Sequence, residues 1–365
     1  IYIHDSNMLQ ILVSRCFTMD ANLGIELMAQ LAIHALEIMY HYVPGPCLSM
    51  LMQNNPWHYS HRRSKIQVQN IPLLQNLPQI IGVYIQQYRN GQLFGVRVAE
   101  YALRVIGAYA SYNLEDRTTV ATTNIPQLGN NNTLLDFIMS LIIPGQAAHI
   151  VSGATWAIAI VCGESHSTDP HETQVPGGHI LFDVLIQKGV LQKLNYLMTT
   201  MKNALQQKTV PECFDPQFLS QQICFDDTNL LEMIQDPTQA LQQMVRLRTE
   251  VISNICCAFY HLIPGFWSNG DYLRREEGLA FIDNLQWFLG SSLSDLQAAG
   301  EAPANEAPAQ VQMHGSHLRV VHMTVACIKR IIDCTGNSMP IPLHMLPACL
   351  KTMLELKRFK TLNAA

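Results

Sequence analysis

Five stretches of this chain read as the same object, and that recurrence limits the fold more than any other feature. They lie at 23–42, 95–112, 147–162, 248–263 and 317–334. Each carries apolar residues at helical spacing over most of its circumference, with one narrow polar stripe. In the second, Arg97, Glu100, Tyr101, Arg104, Ala108 and Ser111 share a face, opposite Ala99, Ala102, Leu103, Ile106 and Ala110. In the fourth, Glu250, Ser253, Asn254, Cys257 and His261 form the stripe, while Val251, Ile255, Phe259 and Leu262 turn inward. In the fifth, Arg319, His322, Ala326, Arg330 and Asp333 oppose Leu318, Val321, Val325, Ile328 and Ile332. A helix that is apolar nearly all round must be buried between neighbours, leaving only its stripe accessible.

Shorter apolar pieces lie between these helices. Residues 179–188 read as one helix, Gly189 as its stop and 190–201 as the next, because glycine accepts the left-handed conformation at a helix end. Residues 133–143 and 278–289 predict two more short helices. Pro44-Gly45-Pro46, Pro144-Gly145 and Pro264-Gly265 are expected to end helical segments. Residues 124–132 and 163–178 read as loops. Residues 291–312 contain Glu301-Ala-Pro-Ala-Asn-Glu306-Ala-Pro-Ala, a local duplication poor in core-forming residues, and are expected to form an exposed, mobile insertion loop. A long helix, a turn, a short helix, a glycine and another helix is the grammar of an α-solenoid.

The stretch Gly153-Ala-Thr-Trp156-Ala157-Ile158-Ala159-Ile160-Val161-Cys-Gly163 resembles the third helix of armadillo repeats, whose pattern is a small residue, Trp-Ala-Leu-Ser-Asn-Leu and a glycine. Residues 180–197, with Lys188-Gly189-Val190-Leu191, resemble the turn between that family's first and second helices. The resemblance covers about 50 residues, 147–198. It implies an all-α, irregular armadillo/HEAT-like α-solenoid, a right-handed superhelix, built as one body over 1–365. Ile160 stands where peptide-binding members carry the asparagine that holds a peptide backbone, so that position cannot do so here. The long helices start at 23, 95, 147, 248 and 317, intervals longer than the roughly 40–47 residues of armadillo and HEAT units. Insertions or divergent units must fill the difference.

Composition narrows the setting. The chain is 48% hydrophobic and only 14% charged, against roughly 25% in ordinary soluble domains. Its net charge of −5 lacks the basic excess of a nucleic-acid binder. Ten cysteines in 365 residues, with no C-x-x-C pair, suit buried free thiols in a reducing compartment rather than a secreted disulfide scaffold. The expected location is therefore intracellular, cytoplasmic or nuclear. The chain begins at Ile1 rather than Met, as a fragment or a processed chain would. Residues 137–163 hold no Lys, Arg, Asp or Glu, but Pro144-Gly145 divides them into pieces too short to span a bilayer.

Few constellations suggest chemistry. Gly163-Glu164-Ser165-His166-Ser167 resembles a nucleophile elbow, but Ser167 replaces the final glycine that the tight turn needs. A serine hydrolase centred on Ser165 is the enzymatic alternative. His166 and His171, with Glu164, Asp169 and Glu172, and the pair His58 and His61, lack a converging set of three or four ligands. No metal and no cofactor is expected. Trp57, Arg62, Arg63 and Lys65 could stack on and pair with RNA, which makes an RNA-binding helical-repeat subunit the second alternative. Asp226-Asp227 and Glu276-Glu277 suit helix starts, where they complement the dipole.

The reading with the widest support is a non-enzymatic scaffold that binds protein partners through a concave helical groove and loops. Arg97, Arg104, Trp156, Glu250, Asn254, Arg319 and His322 are expected to line one accessible ridge, since each lies on its helix's polar stripe. The charge deficit and 16 methionines, a flexible apolar type suited to adaptable contacts, further suggest an obligate part of a larger assembly.

Overall fold

Local signals in the sequence set many of the helix ends. A computed structural model describes residues 25–53, 73–90, 94–125, 128–129, 132–143, 146–163, 178–207, 237–268, 276–300 and 307–335. These residues form twelve helices: α1 (Ile25–Tyr42), α2 (Gly45–Gln53), α3 (Leu73–Arg89), α4 (Phe94–Tyr112), α5 (Leu114–Thr122), α6 (Leu134–Ser140), α7 (Ala148–Val161), α8 (Gly178–Gln187), α9 (Val190–Gln206), α10 (Pro237–Ser268), α11 (Glu276–Gly300) and α12 (Ala307–Thr335). Among the described residues there is no strand, only an isolated bridge between Asn124 and Thr133. The protein is all-α. Asn113 caps α5 by accepting the Asp116 N–H at 2.7 Å. At α6, Thr133 and Asp136 form a reciprocal capping box. Gly189, at φ +71°, separates α8 from α9 where the sequence placed the stop.

The five recurrent stretches are α1, α4, α7, α10 and α12, and they touch in chain order. α4 lies against α1, α7 against α4, α10 against α7 and α12 against α10. Other helices back this row: α3 against α4, α6 against α7, α8 against α10, and α11 against α12 with α9 beside it. One hydrophobic core runs through all of them. The middle helix, α7, is enclosed on so many sides that every residue but Trp156 is buried. Its lack of charge follows from that position, because a charge there would need a buried partner. Among the described residues no helix is long and apolar enough to cross a membrane.

Polar bonds register the layers. Asn284 of α11 donates to Asn195 Oδ1 at 3.0 Å and to Thr199 Oγ1 at 2.8 Å on α9. Cys327 Sγ of α12 donates to the Cys256 carbonyl of α10 at 2.9 Å. The Phe259 and Phe281 rings stack at 3.7 Å and join α10 to α11.

Two expectations need correction. Residues 291–312 are not a loop throughout: α11 continues through Gly300 and α12 begins at Ala307, leaving 301–306 outside the described residues. Leu285, Leu289 and Leu293 keep an i, i+4 spacing against the core, and this carries α11 into a stretch read as poor in core-forming residues. Pro264-Gly265 does not end α10, which runs on to Ser268. A proline removes one hydrogen bond and crowds the preceding turn, and here the helix survives for one further turn. The 32 residues of α10 also begin well before the stretch read from periodicity.

Candidate functional site

The polar stripes of four long helices meet at one cleft of about 650 Å³. Tyr40 and His41 come from α1, and Arg97, Glu100, Tyr101 and Arg104 from α4. Arg246, Thr249 and Glu250 come from α10, and Arg319 from α12. The stripe of α4 emerges as its spacing predicts. Arg97, Tyr101, Arg104, Ala108 and Ser111 are half-buried, whereas Ala99, Ala102, Leu103, Ile106 and Ala110 are fully enclosed. Glu100 is the exception within the stripe, only 4% exposed.

Glu100 is the hub of an ionic network. Arg97 donates to its Oε2 at 2.7 Å and Arg104 to its Oε1 at 3.1 Å. His149 Nδ1, from α7, lies 3.1 Å from Glu100 Oε2. The other ring nitrogen of His149 lies 3.1 Å from the Gln243 amide of α10. Burial works against the Glu100 charge, but His149, Arg97 and Arg104 outweigh it and hold this carboxyl well below the usual glutamate range. Arg104 donates again, to Glu250 Oε1 of α10 at 3.0 Å. Burial opposes its charge too, and Glu100 with Glu250 overcomes that and raises its pKa. The Arg97 guanidinium also lies 5.2 Å from the centre of the Tyr101 ring, a cation–π distance.

The network leaves two cations over. Arg246 and Arg319 are exposed at the cleft, and neither side chain makes an ion pair or hydrogen bond among the described residues. The cleft therefore carries four guanidinium groups against two carboxylates, although the chain as a whole is at −5.

Of the seven residues expected on one ridge, Arg97, Arg104, Glu250 and Arg319 line this cleft together. His322 is exposed on α12, one turn from Arg319, and does not line it. Trp156 is half-buried behind the wall, its ring edge-on to Tyr40 at 5.5 Å and seated over Gly107. Asn254 corrects the expectation of accessibility, being 1% exposed. Its amide donates to the Ser152 carbonyl and to Thr155 Oγ1, each at 3.4 Å, and so ties α10 to α7. These are long bonds, and both acceptors belong to a helix satisfied in its own right. Asn254→Ala should cost only about 1 kcal/mol in urea unfolding and leave any binding at the cleft unchanged. Ile160, at the position the armadillo resemblance assigns to peptide holding, is fully buried.

No family model, curated protein or solved structure matches this chain. The cleft must be interpreted from its own chemistry. Among the described residues no group of three or more His, Cys, Asp or Glu is placed to hold a metal. Ser165 with its neighbouring histidines, and Trp57, Arg62, Arg63 and Lys65, lie outside the described residues. Periodicity missed Arg246 because α10 starts earlier than the stretch it identified, and Thr249, inside that stretch, was not assigned to its polar stripe. Arg246 obeys the same helical spacing as Glu250 and Ser253, so extending the stripe one turn toward the N-terminus would have found it. The contact of His149 with Glu100 joins α7 to α4 and has no local signal.

Proposed function

We propose that this chain is a non-enzymatic protein-interaction scaffold of armadillo/HEAT-like kind, an irregular right-handed superhelix that receives a partner protein in the cleft between α1, α4, α10 and α12. The observation that carries this reading is the convergence of polar stripes from four helices on one cleft, while their other faces are buried in a shared core. A row of helices stabilised chiefly by neighbour contacts presents an extended surface, and polar groups gathered on one part of it mark where specificity is placed. The described cysteines carry free thiols, and burial pushes Cys162 up to about 12 despite the opposing charge of Arg117. Inert buried thiols of this kind favour an intracellular setting, cytoplasmic or nuclear, within a larger complex.

A photo-crosslinking side chain placed at Arg319, compared with one at the exposed Tyr196 on α9, tests the docking role in extract from the native cell. Discrete protein adducts are expected from position 319 and not from position 196. Equal labelling from both positions, or none from either, would overturn it.

A further inference from the structure

We infer that the segment seated in this cleft is acidic: a short stretch of a partner protein with two or more aspartate or glutamate side chains, gripped by Arg246 and Arg319. The inference rests on the docking role proposed above and names the chemistry of its occupant. Its basis is the charge ledger of the cleft. Glu100 is satisfied by Arg97, Arg104 and His149, and Glu250 by Arg104. Arg246 and Arg319 enter the same cavity from two helices, exposed and without an acidic partner among the described residues. Two guanidinium groups left uncompensated inside one cleft repel one another, and an anionic occupant removes that repulsion. Because the whole chain is negative, this local excess is not a by-product of basic composition.

Size and shape agree with a peptide. A cleft near 650 Å³ falls in the size range of ligand-binding pockets and, being half open, leaves room for a chain to enter and leave it. The planar guanidinium fork matches a carboxylate with two parallel hydrogen bonds, which a lysine cannot reproduce. Tyr40 and Tyr101 line the same cleft and supply apolar surface beside the cations. A nucleic-acid backbone fits less well. It presents a long series of phosphates, for which two free cations are few, and Glu100 and Glu250 line the same cleft.

The test uses fluorescein-labelled hexaglutamate, titrated with the purified full chain at low ionic strength and followed by anisotropy. Hexalysine and a six-nucleotide oligouridine serve as comparisons. Hexaglutamate should bind, with affinity falling as salt rises. The Arg246→Gln/Arg319→Gln double variant should weaken it at least tenfold, and Arg246→Glu/Arg319→Glu should reverse the preference toward hexalysine. Both side chains are exposed and unpaired among the described residues, and circular dichroism with a thermal melt confirms that each variant is folded. Tighter binding of oligouridine, or hexaglutamate binding that survives the charge reversal, would overturn the inference. Absence of hexaglutamate binding while crosslinking at position 319 succeeds would overturn the acidic occupant and leave the docking role intact. Failure of both experiments would remove the docking role itself.

Discussion

Glu100→Gln is expected to lower stability by about 3 kcal/mol in urea unfolding at neutral pH, the scale seen when one partner of a buried ionic cluster is removed. The amide keeps the size of the side chain but leaves Arg97, Arg104 and His149 facing one another without the carboxylate they share. The sign of the pH dependence follows from the depressed pKa of Glu100. The unfolded chain takes up this proton near pH 4.3, roughly the ordinary glutamate value, whereas the folded chain resists it to lower pH. The stabilisation is therefore complete above that value and is lost as pH falls toward the folded pKa. The stability gap between the wild-type chain and the Glu100→Gln variant should narrow from pH 7 to pH 3. A gap that stays constant over that range would mean that packing, not charge, makes Glu100 important.

The second large effect is expected at Gly95, where α4 crosses the end of α3. A Cβ there would overlap the Tyr84 carbonyl oxygen and approach both the Tyr84 carbonyl carbon and the Tyr88 nitrogen to 3.1 Å. These are backbone atoms that cannot rotate aside, so α3 must move. Overpacking of this kind costs up to about 3 kcal/mol. Alanine recovers about 1 kcal/mol through its better helix propensity, so Gly95→Ala should lose about 2 kcal/mol net. Gly290→Ala, in α11, meets nothing within 4 Å and should instead gain up to about 1 kcal/mol. Opposite signs for the same substitution in two helices, measured by chemical denaturation, would verify the α3–α4 crossing. A neutral result at Gly95 would contradict it.

Sequence reading succeeded where a structural cause acts within one or two turns. The face of α4 was legible because its residues, Glu100 apart, repeat the same inward or outward choice every turn. The α8–α9 break was legible because a single glycine takes a single special conformation. Asn254 misled because an amide on a polar stripe looks alike whether it meets solvent or the carbonyl of a neighbouring helix. Which of the two holds depends on how closely α7 approaches α10. The ends of α10 and α11 were missed for a related reason. Proline, glycine and alanine suggest a break locally, while Leu289 and Leu293 reach a core built from distant parts of the chain. His149 could not be connected to Glu100 by any local rule, since the two helices meet only after folding.

The bond from Arg104 to Glu250 joins α4 to α10, two places along the row, with α7 contacting both. In a row held only by adjacent contacts, small tilts at successive joints accumulate, much as play accumulates along a chain of hinges. A tether that skips a joint couples the two tilts on either side of it: if α4 rotates against α7, α10 must follow within the reach of one arginine. The floor of the cleft thus works as a brace, and its width is set by a bond length more than by the compliance of the joints. An occupant meets a mouth already held near one opening, and little of its binding energy has to go into ordering the walls.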